Sequence, residues 1–300
     1  MTNASAVQIK ENIFSGLGRI IGAEFFKLTK RPMTKILLAI LVGIIVIVHF
    51  LLLAISKSNL PNAGQGGGNI ENLLGLSSAI PFSLSIIASF GAILAILLVS
   101  NSMGNEYNWK TIRTAVISSE SRFKFLVAKL VSLGALILIG LFVGVIAGFI
   151  TSLITTAIGG YSFDMSFATG SYMWQQFLQF LRTFYLILPF GLLGFFMAIL
   201  GRSAMPGIAT GIGWFFLESI ITAFMRAAGG WIANVPDYLM SANVNAITAL
   251  NNLPGRFGGG IGNGSTTLPT LTHAMVVLGI YSVVFAVGAF YIFRKRDVTG

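Results

Sequence analysis

The 300 residues contain no cysteine, only two histidines and few charged residues, which make up 9% of the chain. The missing cysteine excludes disulfides, thiol catalysis and cysteine-ligated metals from this chain. Roughly 25% of the residues of a soluble domain are charged, so the low charge and the 55% hydrophobic content argue against a soluble protein. The formal net charge of +10 lies in loops beside apolar segments, unlike the basic face of a nucleic-acid-binding domain. Composition therefore predicts a membrane protein without a nucleic-acid partner.

Six apolar stretches are each long enough to cross about 30 Å of hydrocarbon as a helix. We predict an all-α polytopic protein with a segment at 1–35, one transmembrane domain at 36–293 and a tail at 294–300. The third stretch is longer than a crossing requires, so its helix should tilt or project beyond the bilayer. The predicted spans are 36–56, 80–101, 126–158, 179–200, 205–226 and 272–293.

Lysine and arginine are unevenly distributed between the two sides of these spans. With both termini on one side, that side carries fifteen of them and the other only four: Lys57, Arg182, Arg226 and Arg256. Because positive residues accumulate on the cytoplasmic side of membrane proteins, we predict cytoplasmic termini and a multi-pass location in the cytoplasmic membrane. The loop at 227–271 is then extracytoplasmic, and its residues 227–250 are apolar enough to form short interfacial helices.

Residues 13–35 place apolar side chains at nearly helical intervals and also carry Arg19, Lys27, Lys30 and Arg31. This pattern is typical of an amphipathic helix that lies in the cytoplasmic interface against anionic lipid. The alternative is a basic flank of a membrane helix, which the positive-inside distribution alone would produce.

No constellation of residues in the sequence predicts an enzyme. His49 and His273 each lack a neighbouring acid or second ligand in sequence, which favours packing or interface roles over a metal site. The glycine-rich segments 59–69 and 251–264 lack a phosphate-binding loop pattern and predict flexible loops. We therefore predict a chain without catalytic residues, cofactor or metal of its own.

Glu218 is an ionisable residue inside the fifth predicted span. Such groups are energetically expensive at membrane depth and often functional. Arg182 and Arg226 lie toward the same outer half, and either could pair with it. Two interpretations remain open: a polar gate or substrate contact, and a structural ion pair or an acid that reaches interfacial water.

Glycines recur at intervals of four residues in two of the predicted spans. Four-residue spacing places small residues on one helix face, where they permit close approach of another helix. We predict helix packing at Gly140, Gly144, Gly148, Gly207 and Gly211.

The passage 101–130 contains seven charged residues between two long apolar stretches, together with Tyr107 and Trp109. We predict a cytoplasmic coupling loop at 101–125 with a short amphipathic helix at 103–117. Aromatic residues surrounded by polar ones suit a protein interface, so this helix would present Tyr107, Trp109 and Ile112 to a soluble partner. The alternative is a loop held to lipid headgroups by Trp109 and the basic residues.

This passage resembles the permease subunits of ATP-binding-cassette transporters, specifically the ABC type-2 exporter family. It is similar to that family's pattern E-Y-x-x-G-T-x-R-T followed by S-R-x-x-x-L-x-A-K. The segment AEFFKLTKRP before the first span and FRKRDV after the last also look like the family. The sequence departs from the pattern at Lys110, where glycine is usual, and in having no proline before Ser121. The matching residues are Glu106, Tyr107, Thr111, Arg113, Thr114, Ser121, Arg122, Leu126, Ala128 and Lys129.

The resemblance implies a coupling helix that docks into a groove on a separate ATPase subunit, which binds ATP and magnesium. We expect Glu106, Tyr107, Trp109, Thr111 and Arg113 to carry this coupling. A second permease subunit, identical or related, and the lipid bilayer complete the expected partners.

The expected function is that of an exporter permease for an amphipathic, lipid-like, drug-like or peptide-like substrate. The few intramembrane charges favour such a cargo over a small ion. The alternative is an ion-coupled secondary transporter centred on Glu218. A membrane-embedded lipid enzyme would need clustered acids, histidines or a nucleophile with its base, and the sequence shows no such cluster.

Overall fold

The computed structural model describes residues 13–58, 73–111, 121–161, 163, 165–251 and 269–295, and this part of the chain contains helices and turns without a strand. The Gly-rich segments 59–69 and 251–264 lie almost entirely outside these ranges, as do Ile112 and Arg113. The helices are α1 (Ile13–Lys30), α2 (Pro32–Lys57), α3 (Ala79–Asn108), α4 (Arg122–Gly159), α5 (Gly170–Gly201), α6 (Ala204–Ala228), α7 (Met240–Thr248) and α8 (Leu271–Lys295). Three-ten helices occupy Leu76–Ser78, Gly230–Tyr238 and Ala249–Asn251.

Six helices, namely α2 to α6 and α8, are long and apolar enough to cross a membrane. The prediction of six apolar helices is therefore confirmed. The largest differences from the expected bounds are at the start of the fourth span and at the end of the second. The fourth span, α5, begins at Gly170 instead of 179, and the second, α3, continues to Asn108 instead of 101. The 38 residues of α4 correspond to about 57 Å of helix, well beyond the hydrocarbon thickness.

Side-chain caps define the starts of three of these helices. The hydroxyl of Ser121 accepts a hydrogen bond from the Lys124 N–H at 3.1 Å, at the start of α4. Thr169 and Ser203 cap α5 and α6 in the same way. Such caps satisfy backbone N–H groups that have no partner within the helix. The hydroxyl groups of these three residues therefore set the positions at which α4, α5 and α6 begin.

Helices α3 and α5 form the centre of the bundle. About two thirds of the most apolar part of α3 and 56% of that of α5 are buried, against 11% for α6 and 17% for α8. Helix α1 packs against α4 at one end of the bundle, and α7 packs against α6 and α8 at the other. We call these the α1 end and the α7 end.

The helix predicted over 103–117 does not begin at 103. Residues 103–108 instead form the last turns of α3, and a turn follows at Trp109 and Lys110. The helix continues because Met103, Gly104 and Glu106 are buried against neighbouring helices, so the apolar environment extends beyond the hydrophobic run. The remainder of the predicted helix, 112–117, lies outside the described residues.

Residues 230–248 form helices, as their composition suggests, but they pack into the bundle. Met240 is fully buried and Ile247 is 1% exposed, in a cluster with Phe190 of α5 and Leu278 of α8. The segment therefore fills the space between α6 and α8 at the α7 end.

Candidate functional site

A buried group of charged residues lies at the α1 end, where four segments meet. Glu106 near the end of α3 and Lys129 in the second turn of α4 are both fully buried. Their side chains join at 3.0 Å, from Lys129 Nζ to Glu106 Oε1. We call the whole group the charge cluster: Glu24, Lys27, Arg31, Glu106, Thr111 and Lys129.

Glu106 is the centre of the charge cluster because both of its carboxylate oxygens are engaged. Its Oε1 also lies 2.6 Å from Lys27 Nζ and 2.9 Å from the Arg31 guanidinium. Its Oε2 accepts a hydrogen bond from the Thr111 hydroxyl at 2.7 Å. One carboxylate therefore connects α1, the start of α2, the end of α3 and α4.

Glu24 supplies the second carboxylate of the cluster. Its oxygens lie 3.3 Å from Lys129 Nζ and 3.5 Å from Lys27 Nζ. Three cations thus share two carboxylates, which leaves a formal charge of +1. Charges removed from water persist in a fold only when they are paired and hydrogen-bonded, so these contacts hold the α1 end together.

Trp109 and Lys110 form the exposed edge of this region. The Trp109 side chain is 61% exposed, and its ring centroid lies 5.3 Å from the Arg31 guanidinium. Lys110 has φ = 55°, a left-handed conformation that costs a residue with a side chain about 1–2 kcal/mol. It is the position where the resembled exporter pattern has glycine, which adopts this conformation without that cost.

The five residues expected to carry coupling therefore occupy different environments. Glu106 and Thr111 are bonded to each other inside the charge cluster. Tyr107 is half-buried against the apolar residues around Phe125 and Phe293, Trp109 is exposed, and Arg113 lies outside the described residues.

Sequence reasoning missed the partners of Glu106. Lys27 and Arg31 were expected to face lipid, but their side chains turn inward to the carboxylate. The available signal was the spacing of Glu24, Lys27 and Arg31, which places them on one helical face beside the apolar Phe25 and Leu28.

Glu218 lies toward the α7 end and is 1% exposed. Its Oε1 accepts a hydrogen bond from the Ser241 N–H at 2.8 Å, in the first turn of α7. The N-cap of α7 is Leu239, which has no side-chain acceptor. Glu218 therefore caps α7 from a neighbouring helix.

Neither expected arginine pairs with Glu218 in the structure. The Arg226 guanidinium instead lies 3.5 Å from the Asp237 carboxylate. Arg182 is half-exposed. The structure therefore gives Glu218 a capping contact through Oε1 in place of an ion pair.

The segment around α7 is also anchored from α8. His273 Nε2 lies 2.9 Å from the Asp237 carbonyl oxygen, and the Tyr281 hydroxyl donates to the Tyr238 carbonyl at 3.2 Å. His49 is buried, with Nδ1 2.8 Å from the Ile45 carbonyl oxygen. Both histidines contact backbone groups, and the described residues contain no group of three or more acids and histidines arranged for a metal ion.

Four of the five glycines expected in helix packing lie where another helix approaches closely. A Cβ on Gly144 would come within 2.8 Å of the Ile87 side chain, and one on Gly211 within 2.6 Å of Ile96. Gly148 and Gly207 similarly lie against Ser83 and Ser100. A Cβ on Gly140 would meet no atom within 4 Å, so this glycine faces open space.

The fold and these sites define a multi-pass helical membrane protein with a buried charge cluster at one end. The chain belongs to the family described as "Protein of unknown function (DUF2705)", whose family model matches residues 74–299. It is 27% identical to the uncharacterized protein YhcI of Bacillus subtilis (strain 168) over 217 residues, which are 69% of this chain and 64% of YhcI. The chain thus matches less than two thirds of that relative. Neither description states an activity.

Proposed function

We propose that this chain is the membrane permease subunit of an ATP-binding-cassette exporter, driven by a separate ATPase subunit that docks at Trp109. The observation that carries the proposal is the left-handed backbone at Lys110, at the glycine position of the resembled coupling motif. Residues other than glycine seldom adopt this conformation. The backbone of this chain therefore has, at Lys110, the conformation that would explain why the resembled motif carries glycine at that position.

The contacts around the turn at Trp109 and Lys110 support the transmission of a displacement from this turn to the helices. Trp109 is exposed, whereas Glu106, three residues earlier, is buried and bound to Lys27, Arg31 and Lys129. A displacement applied at the turn would therefore reach α1, α2 and α4 through one carboxylate. In this proposal Trp109 contacts the ATPase and Glu106 is a positioning residue.

The other parts of the proposal follow from the charge distribution and the resemblance. The α1 end is cytoplasmic, because the side that carries it holds fifteen of the nineteen lysines and arginines. ATP and magnesium bind to the ATPase subunit. Two permease subunits, identical or related, enclose a mainly apolar passage for an amphipathic substrate in the cytoplasmic membrane.

Replacing Trp109 tests the docking surface. A tryptophan that becomes buried at the centre of an interface contributes about 2 kcal/mol or more to binding. Because each 1.4 kcal/mol changes the dissociation constant tenfold, Trp109→Ala should weaken ATPase binding about thirtyfold. The measurement is ATP hydrolysis and subunit stoichiometry in complexes purified through a tag on this chain, expressed in the host from which its gene derives.

Lys110→Gly is the matched control for that experiment. It keeps Trp109, restores the glycine of the motif and removes the left-handed strain, so the complex should form normally and the chain should be about 1 kcal/mol more stable. Failure of any ATP-hydrolysing subunit to accompany the wild-type chain, or equal recovery with Trp109→Ala, would show that the coupling assignment is wrong.

The alternative, an ion-coupled transporter centred on Glu218, makes a different prediction. Gln at position 218 keeps an oxygen for the Ser241 N–H but cannot carry a proton or pair with a cation. We expect Glu218→Gln to retain protein level and transport, and Glu218→Ala to lose about 1–2 kcal/mol of stability with the cap. The measurements are thermal unfolding in detergent and transport in vesicles, with and without an ion gradient.

Leu239→Ser in the Glu218→Ala background provides the control for capping. Serine at the N-cap supplies its own acceptor to the first turn of α7, so it should restore part of the lost stability. Abolition of transport by Glu218→Gln at normal protein level would favour the ion-coupled alternative.

A further inference from the structure

An apolar groove opens on the side of the bundle between α2 and α4, near the α1 end. Its cavity volume is about 100 Å³. Leu37, Leu41 and Gly140 form its sides, and Gly91 and Ile187 form its back wall. Its one polar lining residue, Thr34, already donates its hydroxyl to the Leu28 carbonyl at 2.8 Å.

Helices α2 and α4 separate toward the α1 end, and the groove lies in the resulting gap. Deeper in the bundle, Gly144 and Gly148 bring α4 against Ile45 of α2. One turn closer to the α1 end, a Cβ on Gly140 would meet nothing within 4 Å. Ile139, which lines the groove, is 45% exposed, so the groove is open to the outer surface of the bundle.

The dimensions suit one hydrocarbon chain. From Thr34 to Leu41 the groove follows eight residues of α2, which correspond to a rise of about 10 Å. This is about a third of the hydrocarbon thickness of a bilayer. The groove therefore begins near one interface and ends well inside the apolar layer.

A lysine lies beside the end of the groove that is nearest to α1. Lys35, exposed and without an acidic partner among the described residues, lies one turn before Leu38, which lines the groove. Arg31, three residues before Thr34, belongs to the charge cluster with its formal charge of +1. A negatively charged headgroup would meet a complementary field at this position.

We propose that this groove binds an acyl chain of an anionic glycerophospholipid from the leaflet at the α1 end, with the headgroup phosphate at Lys35. The site does not depend on the exporter assignment, since it uses neither Trp109 nor an ATPase. A bound lipid at this position would fill the opening between α2 and α4 beside the charge cluster.

The test uses the full chain in nanodiscs that contain phosphatidylglycerol with a diazirine on one acyl chain. After illumination, mass spectrometry should find labelled peptides from 34–41 and 136–141 at least fivefold above those from the exposed faces of α6 and α8. Filling the groove with Gly140→Leu should remove that excess. Gly134→Leu is the matched control on the same helix, because a Cβ there also meets nothing within 4 Å and Gly134 does not line the groove.

The charge component is tested with phosphatidylcholine that carries the same diazirine. Phosphatidylglycerol should label the groove severalfold more strongly than phosphatidylcholine, and Lys35→Gln should reduce the ratio toward one. If Gly140→Leu does not fold, competition of wild-type labelling by unlabelled phosphatidylglycerol but not phosphatidylcholine gives the same information. Uniform labelling of all exposed helices, or equal labelling by the two lipids, would overturn the proposal.

Discussion

Replacing Glu106 by glutamine should destabilise the protein by about 3–5 kcal/mol, the cost of removing one partner from a buried ion pair. Glutamine has nearly the same size but no charge. Lys129, which is fully buried, would then keep only Glu24 at 3.3 Å, and Arg31 would lose its carboxylate. The measurement is the free energy of unfolding in detergent, monitored by tryptophan fluorescence, with the protein level in the membrane as a second readout.

Two further variants separate the charge effect from a general disturbance. Glu106→Gln combined with Lys129→Met removes an anion and a buried cation together, so it should recover part of the lost stability. Lys30→Gln is the matched control, because Lys30 is exposed at the end of the same helix as Lys27 and contacts Phe26 instead of Glu106. Its effect should stay within about 0.5 kcal/mol. Unchanged unfolding of Glu106→Gln would contradict the central role of this carboxylate.

The apolar helices could be predicted from the sequence because their signal is local. Twenty consecutive apolar residues determine a spanning helix without reference to the rest of the chain. The same reasoning misplaced the end of α3, since the apolar run ends at Val99 but the helix continues to Asn108 with Glu106 buried and paired with Lys27 and Lys129. A charged residue marks a helix boundary only when it faces water, and its partners here are 79 and 23 residues away.

The candidate site shows the same limit. The sequence alone indicated Trp109 as a coupling residue and Lys110 as a departure from the resembled motif, because both belong to one short segment. The cap that Glu218 provides to Ser241 was not visible, because it depends on how α7 returns to α6. Long-range polar contacts of this kind follow from packing, which a single sequence does not specify.

Packing itself is tested most strongly at Gly207 in α6. A Cβ at this position would lie 2.6 Å from the Gly194 carbonyl oxygen of α5 and 2.6 Å from the Ser100 hydroxyl of α3. The carbonyl oxygen belongs to a helix backbone and cannot rotate aside. A larger side chain must therefore move α6 away from α3 and α5, the two central helices.

We expect Gly207→Leu to cost about 3 kcal/mol, the upper part of the range for overpacked cores, measured by unfolding in detergent. Gly213→Leu is the matched control in the same helix, where a Cβ meets no atom within 4 Å. Because leucine favours a helix more than glycine does, by up to about 1 kcal/mol, this second variant should be neutral or stabilising. Opposite signs at two glycines six residues apart would show that the contact of α6 with the central pair limits stability, whereas equal effects would place α6 further from α3 than the structure does.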